Sequence, residues 1–340
     1  MLHTAFGANS LPRKIDMKKT LALSLLAALA LPTVAVASDS KEDPTERGGA
    51  KYITGKAPRT LEGGWVLNWN DEFDGTKLDE SKWAYELGVV RNPGSSQAYT
   101  KDCVKVKGGK LQLRSVARKT KNENYDPNGK AWTRKIKEQP YASGSVTTKG
   151  VKHFTAPGRL EFRARIPKAR GVWPAIWTMH VNGHGWPANG EIDLLEHISQ
   201  EPDTVYTIFR WGKNGTNQEY KPVIKTTKIP NYSKDFHTYV LEWDDVNMIA
   251  FIDNKEVARV AISDADYPDG TNPLRTPCYL ILNTAIGGSG TWPQAPVASD
   301  YPVTFEIDYV RYYTKKDGEA APSDDEQPAK GKKKGKKKKS

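Results

Sequence analysis

Cysteine is scarce in this chain, with only 2 among 340 residues, Cys103 and Cys278. A dense disulfide scaffold is thereby excluded, and a domain of this size needs no staple to hold its core. In an oxidising compartment the two could pair, with two independent buried thiols the plainer expectation. Long helical periodicities are missing, as are internal repeats. The apolar run at 21–31 is too short and too abruptly ended to cross a bilayer. Charge is thin where it would matter for nucleic acid. The formal net charge is +11, but each terminal segment, 1–37 and 317–340, holds +3 of it, and the core from 38 to 316 keeps only +5. A nucleic-acid partner is therefore not expected.

What is present is aromatic and strand-like. The chain has 10 Trp and 15 Tyr. Strand signals recur at 64–69, 111–117, 142–148, 159–166, 175–179, 205–209, 237–242, 248–252, 279–283 and 305–312, separated by Gly, Pro and Asn turns. This pattern predicts an all-β sandwich or barrel. Asp253-Asn254-Lys255 reads as a hairpin turn.

The ends read differently. Lys18 and Lys19 precede the apolar run, and Ala35-Val36-Ala37 offers a small-residue cleavage site, so 1–37 is expected to be upstream residues and a secretory signal cleaved near Ala37. Met17 reads as the start. With no Cys after the run, a lipid anchor is not expected, and the mature protein is expected to be secreted, periplasmic or at the cell surface. Residues 38–62 are polar and turn-rich, a linker. Residues 63–316 form the expected folded β domain. From 317 to 340 an acidic stretch gives way to nearly pure lysine, which cannot bury a core and is expected to be a disordered tail. Its lysines could contact an anionic surface.

The most informative stretch is Glu191-Ile192-Asp193-Leu194-Leu195-Glu196. On a strand, Glu191 and Asp193 share a face and Glu196 falls on the other. One inserted residue between Asp193 and Glu196 would bring all three acids to one face. Such crowding costs electrostatic energy. Glycoside hydrolysis is the chemistry that wants it, with one carboxylate attacking and another donating a proton. An acidic solvated strand face is the bland alternative, and Leu194, Leu195 and Ile198 argue against it. Trp173, Trp177 and Trp186 lie just upstream. Flat aromatics bury the apolar C–H faces of sugar rings, and although any one of them alone would more often be core, the cluster beside three acids favours a binding role.

The sequence resembles glycoside hydrolase family 16. The resemblance rests on the segment 159–165 (Arg-Leu-Glu-Phe-Arg-Ala-Arg), on Trp173-Pro174-Ala175-Ile176-Trp177 and on Gly190-Glu191-Ile192-Asp193-Leu194-Leu195-Glu196. Trp69-Asn70-Asp71-Glu72-Phe73-Asp74-Gly75, Gln97-Ala98-Tyr99-Thr100, Tyr279-Leu280-Ile281-Leu282-Asn283 and Ile307-Asp308-Tyr309-Val310-Arg311 agree in order. The Glu-x-Asp-x-x-Glu spacing looks like the bulged, laminarinase-type branch. The resemblance implies a β-jelly-roll of two curved antiparallel sheets with a concave substrate cleft. It implies Glu191 as nucleophile, Glu196 as general acid/base and Asp193 as their electrostatic partner, the Asp193 charge raising the proton affinity of Glu196.

The resemblance also places Asn92, Arg210 and Trp211 beside the three tryptophans as substrate-binding residues. The segment 206–212 departs from the His-containing strand usual in laminarinases, so Arg210 and Trp211 could serve a different sugar or an anionic group. No cofactor is expected for catalysis. A structural calcium is implied at Asp308, with the Glu72 and Gly109 carbonyls as partners. The expected protein is a monomeric retaining endo-β-glycanase acting on a polysaccharide, with a β-1,3(4)-glucan as first substrate. An endo-β-1,4-galactosidase acting on host glycans such as mucin O-glycans or keratan chains is the alternative. A carbohydrate-binding module without catalysis is a third reading, against which the intact acid triplet argues.

Overall fold

The computed structural model describes residues 56–218 and 222–315. The sites expected for signal cleavage and for the lysine tail lie outside them. Among the described residues no helix is long and apolar enough to cross a membrane. The strands form two sheets, as expected for a jelly-roll. The seven-stranded sheet runs in the order Val223–Lys228, Thr204–Arg210, Glu191–Glu196, Val172–His180, Cys278–Ile286, Ser145–Thr147 and Ala84–Tyr85. The eleven-stranded sheet has as its spine Lys255–Ala261, Asn247–Ile252, His237–Trp243, Gly158–Arg165, Val303–Lys315, Leu111–Lys121, Glu138–Ser143 and Gln97–Tyr99. Pairing is antiparallel except between Gln97–Tyr99 and Glu138–Ser143, which run parallel.

Alternation builds the core between the sheets. On Gly158–Arg165 the residues Leu160, Phe162 and Ala164 point inward and are at most 1% exposed. Their partners from the other sheet include Ile176, Ile192, Leu195, Leu280 and Leu282, all in the same buried cluster. The arginines of the 159–165 segment face away from that core and serve the outer sheet. Arg159 pairs with Glu161 and Glu242, Arg163 with Asp308, and Arg165 with Glu306. Much of the resemblance in that segment is therefore structural. Cys103 and Cys278 are both buried and free, and burial pushes the Cys278 thiol up to about 12.

Three expectations are corrected. Residues 142–148 are two strands, not one. Glu138–Ser143 belongs to the outer sheet and Ser145–Thr147 to the inner, with Gly144 as the crossing point. A Cβ on Gly144 would lie 2.9 Å from the Cys103 carbonyl oxygen and 3.1 Å from Leu113 Cα. Both are backbone atoms that cannot swing aside. Gly144→Val is expected to destabilise the fold by about 2–3 kcal/mol, at the upper end of overpacking costs, measured by chemical denaturation. The second correction concerns the linker, since Thr60–Leu61 already pairs with Trp65 and Val66, so order begins before 63. The short strands Ala84–Tyr85, Gln97–Tyr99 and Val104–Val106 and the edge strand Val223–Lys228 carry too little alternation to be read from sequence. The third is Trp211, which lies in the core and not in the cleft. The hairpin is as expected, with Asp253 and Asn254 both at positive φ (47° and 63°) between paired strands, the backbone of a two-residue primed turn.

Candidate active site

The acid strand Glu191–Glu196 lies between the tryptophan strand Val172–His180 and the strand Thr204–Arg210. Glu191 is opposite Met179, and Asp193 is opposite Trp177. The count then slips. Leu195 is opposite Ile176 and Glu196 is opposite Ala175, so Leu194 is the extra residue. On the other side Asp193 faces Ile208 and Glu196 faces Tyr206, three residues along one strand against two on its neighbour. The insertion turns Glu196 onto the face of Glu191 and Asp193. Ile192, Leu194 and Leu195 go into the core behind them, which is why the register holds.

The three carboxylates line a cavity of about 630 Å³. Its other walls include Trp173, Trp177 and Trp186, the Arg91-Asn92-Pro93 turn, Arg210, Asn283 and Trp292. The indole N–H groups aim the acids. Trp173 Nε1 donates to Glu196 Oε1 at 2.9 Å, and Trp186 Nε1 donates to Glu191 Oε2 at 3.0 Å. Trp177 Nε1 instead donates to Asn283 Oδ1 at 2.7 Å, and Asn283 donates onward to the Tyr99 hydroxyl at 3.1 Å. Trp186 is half exposed on a loop tied down from below. The Tyr267 hydroxyl donates to the Ala188 carbonyl at 2.9 Å and accepts from the Gly212 N–H at 3.0 Å. A loop this anchored presents its indole to solvent by construction.

Charge in the cleft is divided unevenly. Burial first, and then the charges of Glu191 and Glu196, push Asp193 well above the usual carboxylate range. Burial first, and then Glu191, push Glu196 up to about 7, against the lowering effect of the Trp173 hydrogen bond and of Arg210. The mutual repulsion expected between Asp193 and Glu196 is carried in the rise of Asp193. Asp193 is pushed up as well, and Glu196 owes its own rise to burial first and then to Glu191. A carboxyl that keeps its proton to about pH 7 beside a charged neighbour is what general-acid catalysis needs.

Of the residues expected to bind substrate, the structure brings Trp173, Trp177, Trp186, Asn92 and Arg210 to the cleft. Trp211 is not there. It is 3% exposed and packs in the main core, because it follows Arg210 on an alternating strand and so points to the opposite face. Sequence reasoning missed Arg91, Asn283 and Trp292. Arg91 sits over the Trp177 ring at 5.0 Å and is held there by a two-pronged pair with Glu86. Trp292 packs edge-on against Trp173 and Tyr206. The isolated Trp292 in a Gly-rich loop had no neighbouring acids to flag it. Asn283 was visible as part of a resembling segment but carried no signal of contact with Trp177.

The carboxylates of the residues expected at the calcium are engaged by arginines. Register places Asp308 between Ile307, opposite Leu111, and Val310, opposite Asp71, near the Gly109 turn and Glu72. The Asp308 carboxylate, however, accepts from Arg163 at 2.7 Å, and that of Glu72 pairs with Arg311 at 2.7 Å. A guanidinium thus shares the Asp308 carboxylate that a calcium there would use beside the Glu72 and Gly109 carbonyls. Among the described residues no group of three His, Cys, Asp or Glu is placed to hold a metal.

A two-sheet β-sandwich with an aromatic cleft and three acids on one bulged strand defines a carbohydrate-active hydrolase. Residues 108–311 match glycosyl hydrolases family 16, and the chain belongs to that family. It is 35% identical over 268 residues to the glucan endo-1,3-beta-glucosidase A1 of Niallia circulans, covering 74% of this chain and 38% of that protein. It is 32% identical to the keratan-sulfate endo-1,4-beta-galactosidase of Sphingobacterium multivorum, over 73% of this chain and 55% of that one. The chain thus spans well under two thirds of these two relatives. A solved structure from work on the endo-acting O-glycanases that prominent members of the human gut microbiota express to initiate mucin breakdown is 47% identical. It superposes with a TM-score of 0.73 over 76% of this chain and 94% of that one.

Proposed function

We propose that this glycoside hydrolase is a secreted, retaining endo-β-glycanase in which Glu191 is the nucleophile and Glu196 the acid/base. The observation that carries the reading is the single inserted residue at Leu194, which sets three carboxylates on one face at the floor of the cleft. In the first step the Glu191 carboxylate attacks the anomeric carbon while Glu196 gives its proton to the departing oxygen. In the second, Glu196 takes a proton from water, and that water displaces Glu191 from the sugar. Trp173 holds one oxygen of Glu196 and leaves the other for the proton. Asp193, buried between them and pushed well above the usual carboxylate range, is their electrostatic partner. A binding module without catalysis would have no use for this dehydrated triplet. The lysine tail, in this reading, contacts an anionic surface and takes no part in turnover.

A β-1,3(4)-glucan is the first substrate, supported by the 35% identical glucan endo-1,3-beta-glucosidase. A second reading, galactose-containing glycans such as mucin O-glycans or keratan chains, is favoured by one specific observation. The O-glycanase structure is 47% identical over a similar share of the chain. Incubation with laminarin, lichenan, agarose and mucin, with the products sized, separates them. Internal fragments from laminarin support the first reading and oligosaccharides released from mucin the second. No product from any of them overturns both.

Trp177, half-buried and braced by Asn283 and Arg91, is proposed as a stacking platform. Trp177→Ala is expected to lose about 1–3 kcal/mol of transition-state binding on long substrates, judged from the area an aromatic covers. The comparison of kcat/KM for long and short oligosaccharides reads it. Unfolding of the variant instead would place Trp177 in the core.

A further inference from the structure

We infer that Arg210 is a positioning residue that decides which of the three cleft carboxylates carries the negative charge, holding Glu191 as the anion that faces the sugar. The inference rests on the reading of Glu191 as nucleophile. It gives Arg210 a task other than the substrate contact its place in the cleft suggests.

The geometry is direct. Arg210 closes the strand Thr204–Arg210, and its Cα is paired with that of Glu191 on the acid strand. Directly opposed side chains on antiparallel strands start within about 5.5 Å of each other at Cβ. Arg210 Nε lies 3.3 Å from Glu191 Oε1 and 3.5 Å from Asp193 Oδ2. A single guanidinium thus stands against a cluster of three acids. One cation compensates one anion, so the arrangement of least repulsion has one carboxylate charged and two protonated.

The surroundings pick Glu191 as the charged member. It is nearest to Nε, and its other oxygen accepts from Trp186 at 3.0 Å. Its side chain is 13% exposed against 4% for Asp193, so its charge is the cheaper one to keep. The remaining groups around it do not compete. Met179, opposite on the tryptophan strand, is uncharged. Tyr279, on the adjoining central strand, is an acid that burial pushes up first, then Glu86, with Glu191 adding to it. Arg91, on the far wall, is bound to Glu86, and Glu196 is turned to Trp173. The resulting pattern, an anion at Glu191 with protons on Asp193 and Glu196, is the one the first chemical step requires. The second contact, from the same Nε to Asp193, keeps the guanidinium over both carboxylates.

The test is Arg210→Met beside Arg210→Lys, with kcat and KM taken from pH 4 to 8 on the oligosaccharide the panel selects. Losing an opposite charge at this range moves a carboxylate by about 1–3 pH units. The acid limb of kcat/KM for Arg210→Met is therefore expected to move up by about that amount. At a pH below the shifted limb the loss is about 10–1,000-fold, a factor of ten for each pH unit, carried in kcat rather than KM. Arg210→Lys keeps the charge and is expected to hold the limb near its wild-type position while kcat falls, because a compact ammonium on a flexible stem does not keep the place of a planar guanidinium between two carboxylates.

An Arg210→Met enzyme with the limb unmoved, or with KM raised and kcat intact, overturns the inference and returns Arg210 to substrate binding. Should Arg210→Met fail to fold, Arg210→Lys decides alone, and a rise in KM with kcat unchanged overturns it equally. Glu191→Ala in the same series keeps the two levels apart. Full activity in that variant defeats the reading of Glu191 as nucleophile, whereas an inactive Glu191→Ala beside an unaffected Arg210→Met defeats only the role of Arg210.

Discussion

Glu196→Ala, given an aryl β-glycoside with an activated leaving group, is expected to form a glycosyl-enzyme and stall there. An activated leaving group departs without a proton, so the first step survives, while the second lacks the base that would activate water. Turnover should fall by about 10²–10⁴-fold, the range a positioned acid/base contributes. Azide needs no base. It should restore turnover and give a product of the substrate's own β configuration. In Glu191→Ala the attacking carboxylate is gone, so azide must displace the leaving group directly and yield the α-azide. The two variants therefore give products of opposite hand, read by NMR at the anomeric centre. The α product from Glu196→Ala would exchange the roles. Undiminished activity in both variants would remove the site from this strand, and with it the significance of the inserted Leu194.

The second large effect is on stability, and it grows with pH. Glu196 is 8% exposed and its carboxyl is pushed up to about 7, from an ordinary value of 4.5. A group raised in the folded state contributes its full stability below the unfolded value and loses it as pH climbs through the folded one. Between pH 4.5 and 7 the native protein should therefore lose about 3 kcal/mol on account of Glu196, since each tenfold difference in proton affinity between the folded and unfolded states is worth about 1.36 kcal/mol. Glu196→Gln cannot titrate and is spared that loss. Its stability relative to the native protein is expected to improve by about 3 kcal/mol from pH 4.5 to pH 8, read by urea denaturation of both proteins at each pH. Asp193, also pushed up, remains in both and largely cancels. A gap that does not change with pH would mean that Glu196 is already ionised at pH 5. The alkaline limb of activity should then lie elsewhere too, since the same proton serves the leaving group.

Period-two alternation and turn residues were enough to read most of the long strands, because each buries one face and local patterning reports that directly. Residues 305–312, for instance, lie within the observed strand Val303–Lys315, and 205–209 within Thr204–Arg210. The acid triplet was legible for the same reason. Its spacing is off by one from a shared face, and only an inserted residue repairs it, as the register at Leu194 does. Trp211 was misread for want of the same rule, since a residue adjacent to a cleft-facing Arg210 must face the core.

Other features were decided by the tertiary structure alone. Gly144 switches sheets because the backbone of residues 103 and 113 approaches it, and nothing near it in sequence announces that approach. Arg91, Asn283 and Trp292 reach the cleft from segments on either side of the acids, and their partners lie up to 184 residues away. The protonation of the site belongs to this class as well. Composition and spacing place three carboxylates together, but their separate behaviour follows from burial, from two indole N–H groups and from one guanidinium, and those are set by which strands lie side by side. Residue order determined that acids would crowd one strand. Packing determined which of them would keep a proton, because the cost of a charge depends on the solvent and partners around it and not on its neighbours in the chain.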